Sequence, residues 1–244
     1  MKKLEKRPSH LDEYDRIIQD QLEQGIAERV NDEPQGEGEC YLPHKAVVWE
    51  GAESTKIRIV FDPLSKASPT SLSLNNCLKA EPPLQNLLWN VLVRTHFKPV
   101  ALCADLKQKF FQVRIQQAYQ DADWIKDKAL SQIEVLRFTR AFFSFIQSPF
   151  LLGGTLKQHQ ESLKAKYPRE VENIMKSLHF HDIINATDTV DQGCRLKEVS
   201  VTVFGEAGFQ LHKLMALACA RTGAFLQNHI RSYLKPFAVG RCLE

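Results

Sequence analysis

The chain contains few of the short motifs that mark common cofactor and hydrolase sites. No phosphate-binding P-loop and no glycine-rich dinucleotide pattern occurs. The spacing of serines, cysteines, histidines and aspartates supports neither a Ser-His-Asp nor a Cys-His arrangement. The six cysteines stand singly, without a C-x-x-C pair and without a secretory leader. We therefore set those enzyme classes aside and expect reduced intracellular thiols.

Long apolar segments are also missing. The most apolar stretch, residues 141–152, is interrupted by Ser144, Gln147, Ser148 and Pro149. It is shorter than the roughly 20 residues that a membrane-spanning helix needs. The sequence therefore predicts no transmembrane segment and no membrane partner, and we expect a cytoplasmic or nuclear location.

Neither sign of charge is in large excess. Thirty-two Lys and Arg residues against 29 Asp and Glu residues give a net charge of +3, which permits a nucleic-acid partner without requiring one. The 244 residues are 43% hydrophobic, enough to bury a core as one or two domains. This composition excludes a disordered tail, and nothing in it indicates an obligate protein partner.

Apolar periodicity predicts a mixture of helices and strands, which is the α+β class. Helical spacing or helix-start signals occur in residues 10–24, 84–95, 148–166, 170–176 and 189–204. β character occurs in residues 46–49, 56–61, 100–104, 178–184 and 209–214. We expect the first two β segments to pair as a hairpin, and residues 178–184 to form a second hairpin by themselves.

Three separated blocks have a specific order and spacing. They read KIRIVFD at residues 56–62, ADLKQKF at residues 104–110, and RFTRAFF at residues 137–143, the last followed by SPFLLGG at residues 148–154. In this order they resemble the reverse transcriptase of BEL/Pao-type LTR retrotransposons. Residues 43–45, 74–78 and 211–213 add to the resemblance, which covers roughly residues 10–214.

The resemblance implies the fold and its division along the chain. It predicts a right-hand polymerase palm, built as a ferredoxin-like antiparallel sheet with helices, together with partial fingers. Residues 1–40 would form an amphipathic helix and a linker, and residues 41–214 the fingers and palm. Residues 215–244 are left as an unassigned tail, which a frameshift would explain. The chain would then be one piece of a longer Pol polyprotein.

In this family a strand with one aspartate faces a hairpin with two more, and the carboxylates hold two Mg²⁺ ions for template-directed DNA synthesis. By position, Asp105 matches the strand aspartate and Asp182 the second hairpin aspartate, so both are expected as catalytic metal ligands. Without the resemblance, Asp105 is better explained as a cap of the turn that follows it.

Three further residues match nucleotide-binding positions of the family. Arg58 matches the fingers arginine that contacts the incoming triphosphate, Phe110 the aromatic that excludes a ribose 2′-hydroxyl, and Lys213 a lysine near the leaving pyrophosphate. Spacing alone would instead place Arg58 on the solvated face of a hairpin and Phe110 in the core. The expected partners are deoxynucleotides and an RNA or DNA primer-template.

The hairpin departs from the family pattern at its most important position. The family sequence is Tyr-Val-Asp-Asp, whereas this chain has His179, Phe180, His181 and Asp182, so His181 replaces a metal-binding aspartate. A neutral imidazole brings no negative charge and suits zinc, copper or iron better than magnesium. A zinc site formed by His179 and His181 would need a third His or Cys, and none lies nearby in sequence. Mutational drift is the simpler explanation.

Three hypotheses follow. The first is a degenerate reverse-transcriptase domain, a pseudoenzyme with little or no polymerase activity. The second is a surviving enzyme that uses Asp105 and Asp182 alone. The third is a non-catalytic nucleic-acid-binding remnant that keeps the basic fingers.

Overall fold

The computed structural model describes residues 7–30, 42–48, 57–82, 84–116, 124–127 and 134–218, without the side chains of residues 124–127, 134 and 213–218. It has the α+β composition expected from the sequence. The helices are α1 (Pro8–Glu23), α2 (Leu74–Cys77), α3 (Leu88–His96), α4 (Ser148–Leu163), α5 (Pro168–Ser177) and α6 (Val190–Glu206), with a 3₁₀ helix at Lys109–Gln112. The strands are β1 (Ala27–Arg29), β2 (His44–Val48), β3 (Ile57–Phe61), β4 (Val100–Leu106), β5 (Trp124–Asp127), β6 (Glu134–Phe138), β7 (Leu178–His179), β8 (Asp182–Thr187) and β9 (Leu211–Ala218).

Two compact units divide the chain. Unit 1 contains Met1–Pro83 and Phe110–Leu152, and unit 2 contains Leu84–Lys109 and Gly153–Glu244. All strands are antiparallel, in sheets ordered β1-β6-β5 and β2-β3 in unit 1 and β7-β8-β4-β9 in unit 2. Among the described residues, no helix has both the length and the hydropathy that crossing a membrane would require.

Unit 1 is held together by an aromatic core. Phe61 at the end of β3 meets Phe138 of β6 edge to face, with ring centroids 5.1 Å apart, and Phe142 lies 5.2 Å from Phe61. Helix α1 adds Tyr14 and Ile18, which are 0% and 1% exposed. Such aromatic pairs add roughly 0.5–1.5 kcal/mol beyond the area that they bury. Phe138 and Phe142 of the RFTRAFF block are therefore structural here.

The amphipathic spacing of α1 explains its position in this core. Pro8 occupies the first turn, where a missing backbone N–H costs nothing, and Tyr14 and Ile18 lie four residues apart on the same face. The helix ends before Gly25, whose φ of +60° is left-handed and unfavourable for other residues. The helix expected over residues 10–24 is confirmed.

Unit 2 is built around β4. This strand pairs with β8 on one side and β9 on the other, and six of its seven residues are buried. Helix α3 covers β8 through Val91, which packs with Cys103 and Ile184. Strands covered on both sides consist of continuous apolar residues rather than alternating ones, which explains the Val100–Ala104 pattern. The predicted strand and the predicted 178–184 hairpin are both confirmed.

Several elements differ from the sequence expectation, among them α2, β5 and β6, which the sequence patterns did not predict. Helix α3 begins at Leu88, not at residue 84, because Asn86 is held outside the helix. Its side-chain amide donates to the carbonyl oxygens of Met175 (2.7 Å) and Leu178 (2.8 Å). Strand β1 is an addition that periodicity did not predict, since it has only three residues. The linker expected over residues 31–39 lies outside the described residues.

Truncation of the central strand should destabilise the fold strongly. Leu102 in β4 is 0% exposed, so Leu102→Ala should lower the free energy of unfolding by about 2–5 kcal/mol, because it removes buried methyl groups and leaves a cavity. Leu87→Ala is the matched control, because Leu87 is 69% exposed. Urea unfolding followed by circular dichroism measures both, and equal losses in the two variants would contradict the assigned core.

Candidate active site

The pairing of β4 with β8 places two carboxylates opposite one another. Asp105 is the cross-strand partner of Asp182, in the register that also pairs Cys103 with Ile184. The Asp182 side chain is 8% exposed and that of Asp105 is 41% exposed. Like charges directly across a strand pair repel each other. The arrangement therefore requires a positive charge or hydrogen-bond donors beside it.

His181 supplies a donor between the two acids. Its Nδ1 lies 2.7 Å from Oδ1 of Asp105 and 3.2 Å from Oδ2 of Asp182. A carboxylate only accepts hydrogen bonds, so Nδ1 carries the hydrogen and donates to Asp105. The contact to Asp182 lacks hydrogen-bond geometry and is an electrostatic contact. The imidazole thus bridges both carboxylates through one ring nitrogen.

The backbone of the hairpin turn fixes the position of His181. Phe180 adopts a left-handed φ of +52°, which turns the chain between β7 and β8. The carbonyl oxygen of His181 accepts a hydrogen bond from the N–H of Leu106 at 3.0 Å. The hairpin tip is therefore bound directly to the end of β4, next to Asp105.

The two acids also determine the protonation of the imidazole. Burial by itself lowers the pKa of His181, but the hydrogen bond to Asp105 and the nearby Asp182 carboxylate outweigh it. The net result is a pKa above the usual histidine value. The environment thus favours the imidazolium form, which would partly neutralise the two carboxylates.

Lys109 lies near the same two acids, and the sequence patterns predicted no role for it. Burial lowers the pKa of Lys109 to about 8, although the carboxylates of Asp105 and Asp182 act in the opposite direction. Lys109 begins the 3₁₀ helix that follows β4. Its position four residues after Asp105 was the available signal, but spacing alone could not show that the side chain would be buried beside the acids.

The possible metal ligands in this cluster could hold one cation, but they do not fit a pair of Mg²⁺ ions. Asp105, His181 and Asp182 each bring one ligand atom, all within 4.8 Å of one another. Magnesium prefers oxygen ligands, and paired ions need several bridging carboxylates. Here one of three ligands is an imidazole nitrogen that already donates a hydrogen bond to Asp105. The residues present therefore do not match the two-magnesium arrangement.

Of the remaining sequence candidates, His179, Phe110 and Arg58 are not members of this cluster. His179 donates from Nδ1 to the carbonyl oxygen of Asn86 at 2.8 Å and is not among the grouped ligands. Phe110 is 8% exposed and meets Phe143 edge to face, with centroids 4.7 Å apart. Arg58 lies on β3 in unit 1. Lys213 lies on β9, but its side chain is outside the described part of the chain. The proposed roles of Arg58, Phe110 and Lys213 stay predictions.

Comparison with solved structures supports a reverse-transcriptase-like fold. The chain is similar to the native prototype foamy virus protease-reverse transcriptase, with 17% identity and a TM-score of 0.58 over 80% of this chain. It is similar to a foamy viral protease-reverse transcriptase in complex with dsDNA, with 19% identity and a TM-score of 0.55 over 82% of this chain. A CSH mutant of the prototype foamy virus enzyme gives 16% identity and a TM-score of 0.60 over 84%.

The extent of these matches limits what they establish. The chain spans only 22%, 36% and 24% of the lengths of those three proteins. No protein-family model matches the sequence, and no curated protein matches it significantly. At such low identity the similarity establishes the fold and leaves activity to be argued from the residues.

A carboxylate in place of the His181 imidazole should create a tighter cation site. His181→Asp removes the imidazole hydrogen bond to Asp105 and adds a third acidic ligand, so Mn²⁺ should bind at least about tenfold more tightly than to the unaltered chain. Electron paramagnetic resonance titration of free Mn²⁺ measures this change.

The control is the same substitution at His10 in α1, which also replaces a histidine by an aspartate, far along the sequence. An equal gain in Mn²⁺ affinity in His10→Asp would mean that net charge, rather than the Asp105 cluster, determines binding.

Proposed function

We propose that this chain is a reverse-transcriptase-like domain derived from a BEL/Pao-type retrotransposon, with a polymerase site impaired by His181. The observation that carries the proposal is the 2.7 Å contact between Nδ1 of His181 and Oδ1 of Asp105. It lies at the position where the related hairpins have an aspartate. The ancestral activity is template-directed DNA synthesis, a nucleotidyl transfer that depends on two divalent cations.

The impairment follows from charge and ligand geometry. Replacing an aspartate by a histidine removes one negative charge from the set that would hold the cations, and hydrogen bonding to His181 engages an oxygen of Asp105. Each 1.36 kcal/mol of lost transition-state stabilisation lowers the rate about tenfold. A loss of several kcal/mol would thus lower the rate by several powers of ten. Asp105 and Asp182 remain the proposed catalytic residues and metal ligands.

The proposal also covers the palm and fingers, the nucleotide-binding residues and the partners. The sheet of unit 2 would be the palm, and part of unit 1 would be the fingers, within the residue 41–214 region. Arg58 and Lys213 would contact nucleotide phosphates, and Phe110 would select against a ribose. The partners would be primer-template and deoxynucleotides, in the cytoplasm or nucleus.

Primer extension tests the catalytic part of the proposal. With a primed template, deoxynucleotides and Mg²⁺ or Mn²⁺, the unaltered chain should extend no primer, because His181 prevents assembly of the charged site. His181→Asp should recover a trace of extension, resolved on a denaturing gel.

A double variant controls for contaminating polymerase. Asp105→Asn combined with His181→Asp should lose the recovered trace, because the strand carboxylate is then missing. Clear extension by the unaltered chain would favour the surviving enzyme that uses Asp105 and Asp182 alone, and would contradict impairment.

A non-catalytic nucleic-acid-binding role is the second candidate. Two of the similar solved structures are complexes with dsDNA, and Arg58 matches a phosphate-binding position. Phosphate contacts release counterions, so such binding weakens steeply as salt rises.

Fluorescence anisotropy with a labelled primer-template tests this role. Affinity should fall as the salt concentration rises. Arg58→Ala should weaken binding by about three- to tenfold, and it should reduce the slope of log affinity against log salt concentration by about one. Arg16→Ala is the control, because Arg16 pairs locally with Glu13 on α1. Absence of binding at low salt would remove this candidate.

A further inference from the structure

Unit 2 contains a cavity that is separate from the Asp105 cluster. It has a volume of about 460 Å³ and is bounded by β8 and by helices α3, α5 and α6. None of Asp105, His181 and Asp182 lines it. A volume of this size is typical of sites for small molecules. Its chemistry can therefore be considered independently of the proposed polymerase ancestry.

Cationic side chains dominate the lining of this cavity. Five of them come from three helices and from the turn that follows α3: Arg94, Lys98, Arg169, Lys176 and Arg195. Three of the five have a carboxylate partner. The pairs are Lys98 with Asp188 at 3.0 Å, Lys176 with Glu172 at 2.5 Å, and Arg195 with Glu170 at 2.5 Å.

The other two cations leave an excess of positive charge. Arg94 donates from Nε to the carbonyl oxygen of Asn90 at 3.0 Å and from Nη1 to that of Lys176 at 3.1 Å. Arg169 makes no hydrogen bond or ion pair with any residue that the structure describes. The cavity thus has two guanidinium groups that form no ion pair with a described carboxylate, although the charge of Arg169 acts on the neighbouring Glu170, and Arg94 is held in place by backbone acceptors.

The inner wall of the cavity is mainly apolar rather than cationic. Val91, Ile184, Ala186 and Leu196 are buried and line it from α3, β8 and α6. Amide groups of Asn173, Asn185 and Gln192 are also exposed to the space. Such a wall suits a flat or partly apolar ring with a few polar edges. The occupant should therefore combine an anionic group with a ring.

We propose that this cavity binds a small phosphomonoester of mononucleotide size. A phosphomonoester carries about −1.5 to −2 charges at pH 7, which suits the two guanidinium groups that form no ion pair with a described carboxylate. Planar guanidinium groups bind phosphate oxygens through two parallel hydrogen bonds. The ring of the ligand would contact the apolar wall, while Arg94 and Arg169 bind the phosphate.

The carboxylates at the rim favour this occupant over a nucleic-acid strand. Glu170 and Asp188 line the cavity, and Glu172 is paired with Lys176 beside it. A polyanionic backbone crossing the rim would meet these acids along its length, and like charges repel. A single phosphate bound by Arg94 and Arg169 would meet fewer of these acids than a strand would.

Isothermal titration calorimetry on the full chain tests the proposal, with adenosine 5′-monophosphate and adenosine as probes. The monophosphate should bind, and adenosine should bind at least about tenfold more weakly, because charged hydrogen bonds supply much of the affinity. Arg169→Gln should weaken monophosphate binding about tenfold. Its fold should be retained, since the exposed Arg169 side chain makes no hydrogen bond or ion pair within the described residues.

The matched control is Lys157→Gln, which removes one exposed cation from α4 in the same unit and should leave binding unchanged. Three outcomes would overturn the proposal. They are no heat with the monophosphate at millimolar concentration, an equal loss of affinity in Lys157→Gln, and full displacement of the monophosphate by an equimolar 5′-hydroxyl oligonucleotide, which would indicate a general polyanion surface.

Discussion

Neutralisation of two facing carboxylates is the constraint on which the rest of unit 2 depends. The β4–β8 register that brings Cys103 next to Ile184 in the core also places Asp105 opposite Asp182. Changing that register by one residue would exchange the buried and exposed faces of both strands. The core therefore enforces the acid pair, and the acid pair requires the donor that His181 supplies.

The same packing makes the surroundings of Asp182 poor in water, since its side chain is 8% exposed. Cys103 is 2% exposed, and burial raises the pKa of its thiol to about 12. Burial also lowers the pKa of Lys109, which lies near both acids. In such surroundings, charge–charge interactions are stronger than they are in water. A single substitution at the hairpin can then change the chemistry of the site without changing the fold.

Sequence patterns could predict most of the architecture, because alternation and helical spacing depend on neighbouring residues. The α1 helix, the β2–β3 hairpin, β4 and the β7–β8 hairpin all agree with those patterns. The start of α3 could not be predicted, since Asn86 is held by carbonyls about 90 residues away. The order of motifs indicated Asp105 and Asp182 as candidates. The bridge through His181 and the burial of Lys109 depend on tertiary contacts, so no local pattern shows them.

The two edges of the β7-β8-β4-β9 sheet differ greatly in length. Within the described part of the chain, β9 ends the sheet on one side with eight residues and β7 ends it on the other with two. A long unpaired strand edge is a template onto which a strand from another molecule can add. Among the described strands of this sheet, Leu211–Ala218 is therefore the edge to which a strand from another molecule would add first.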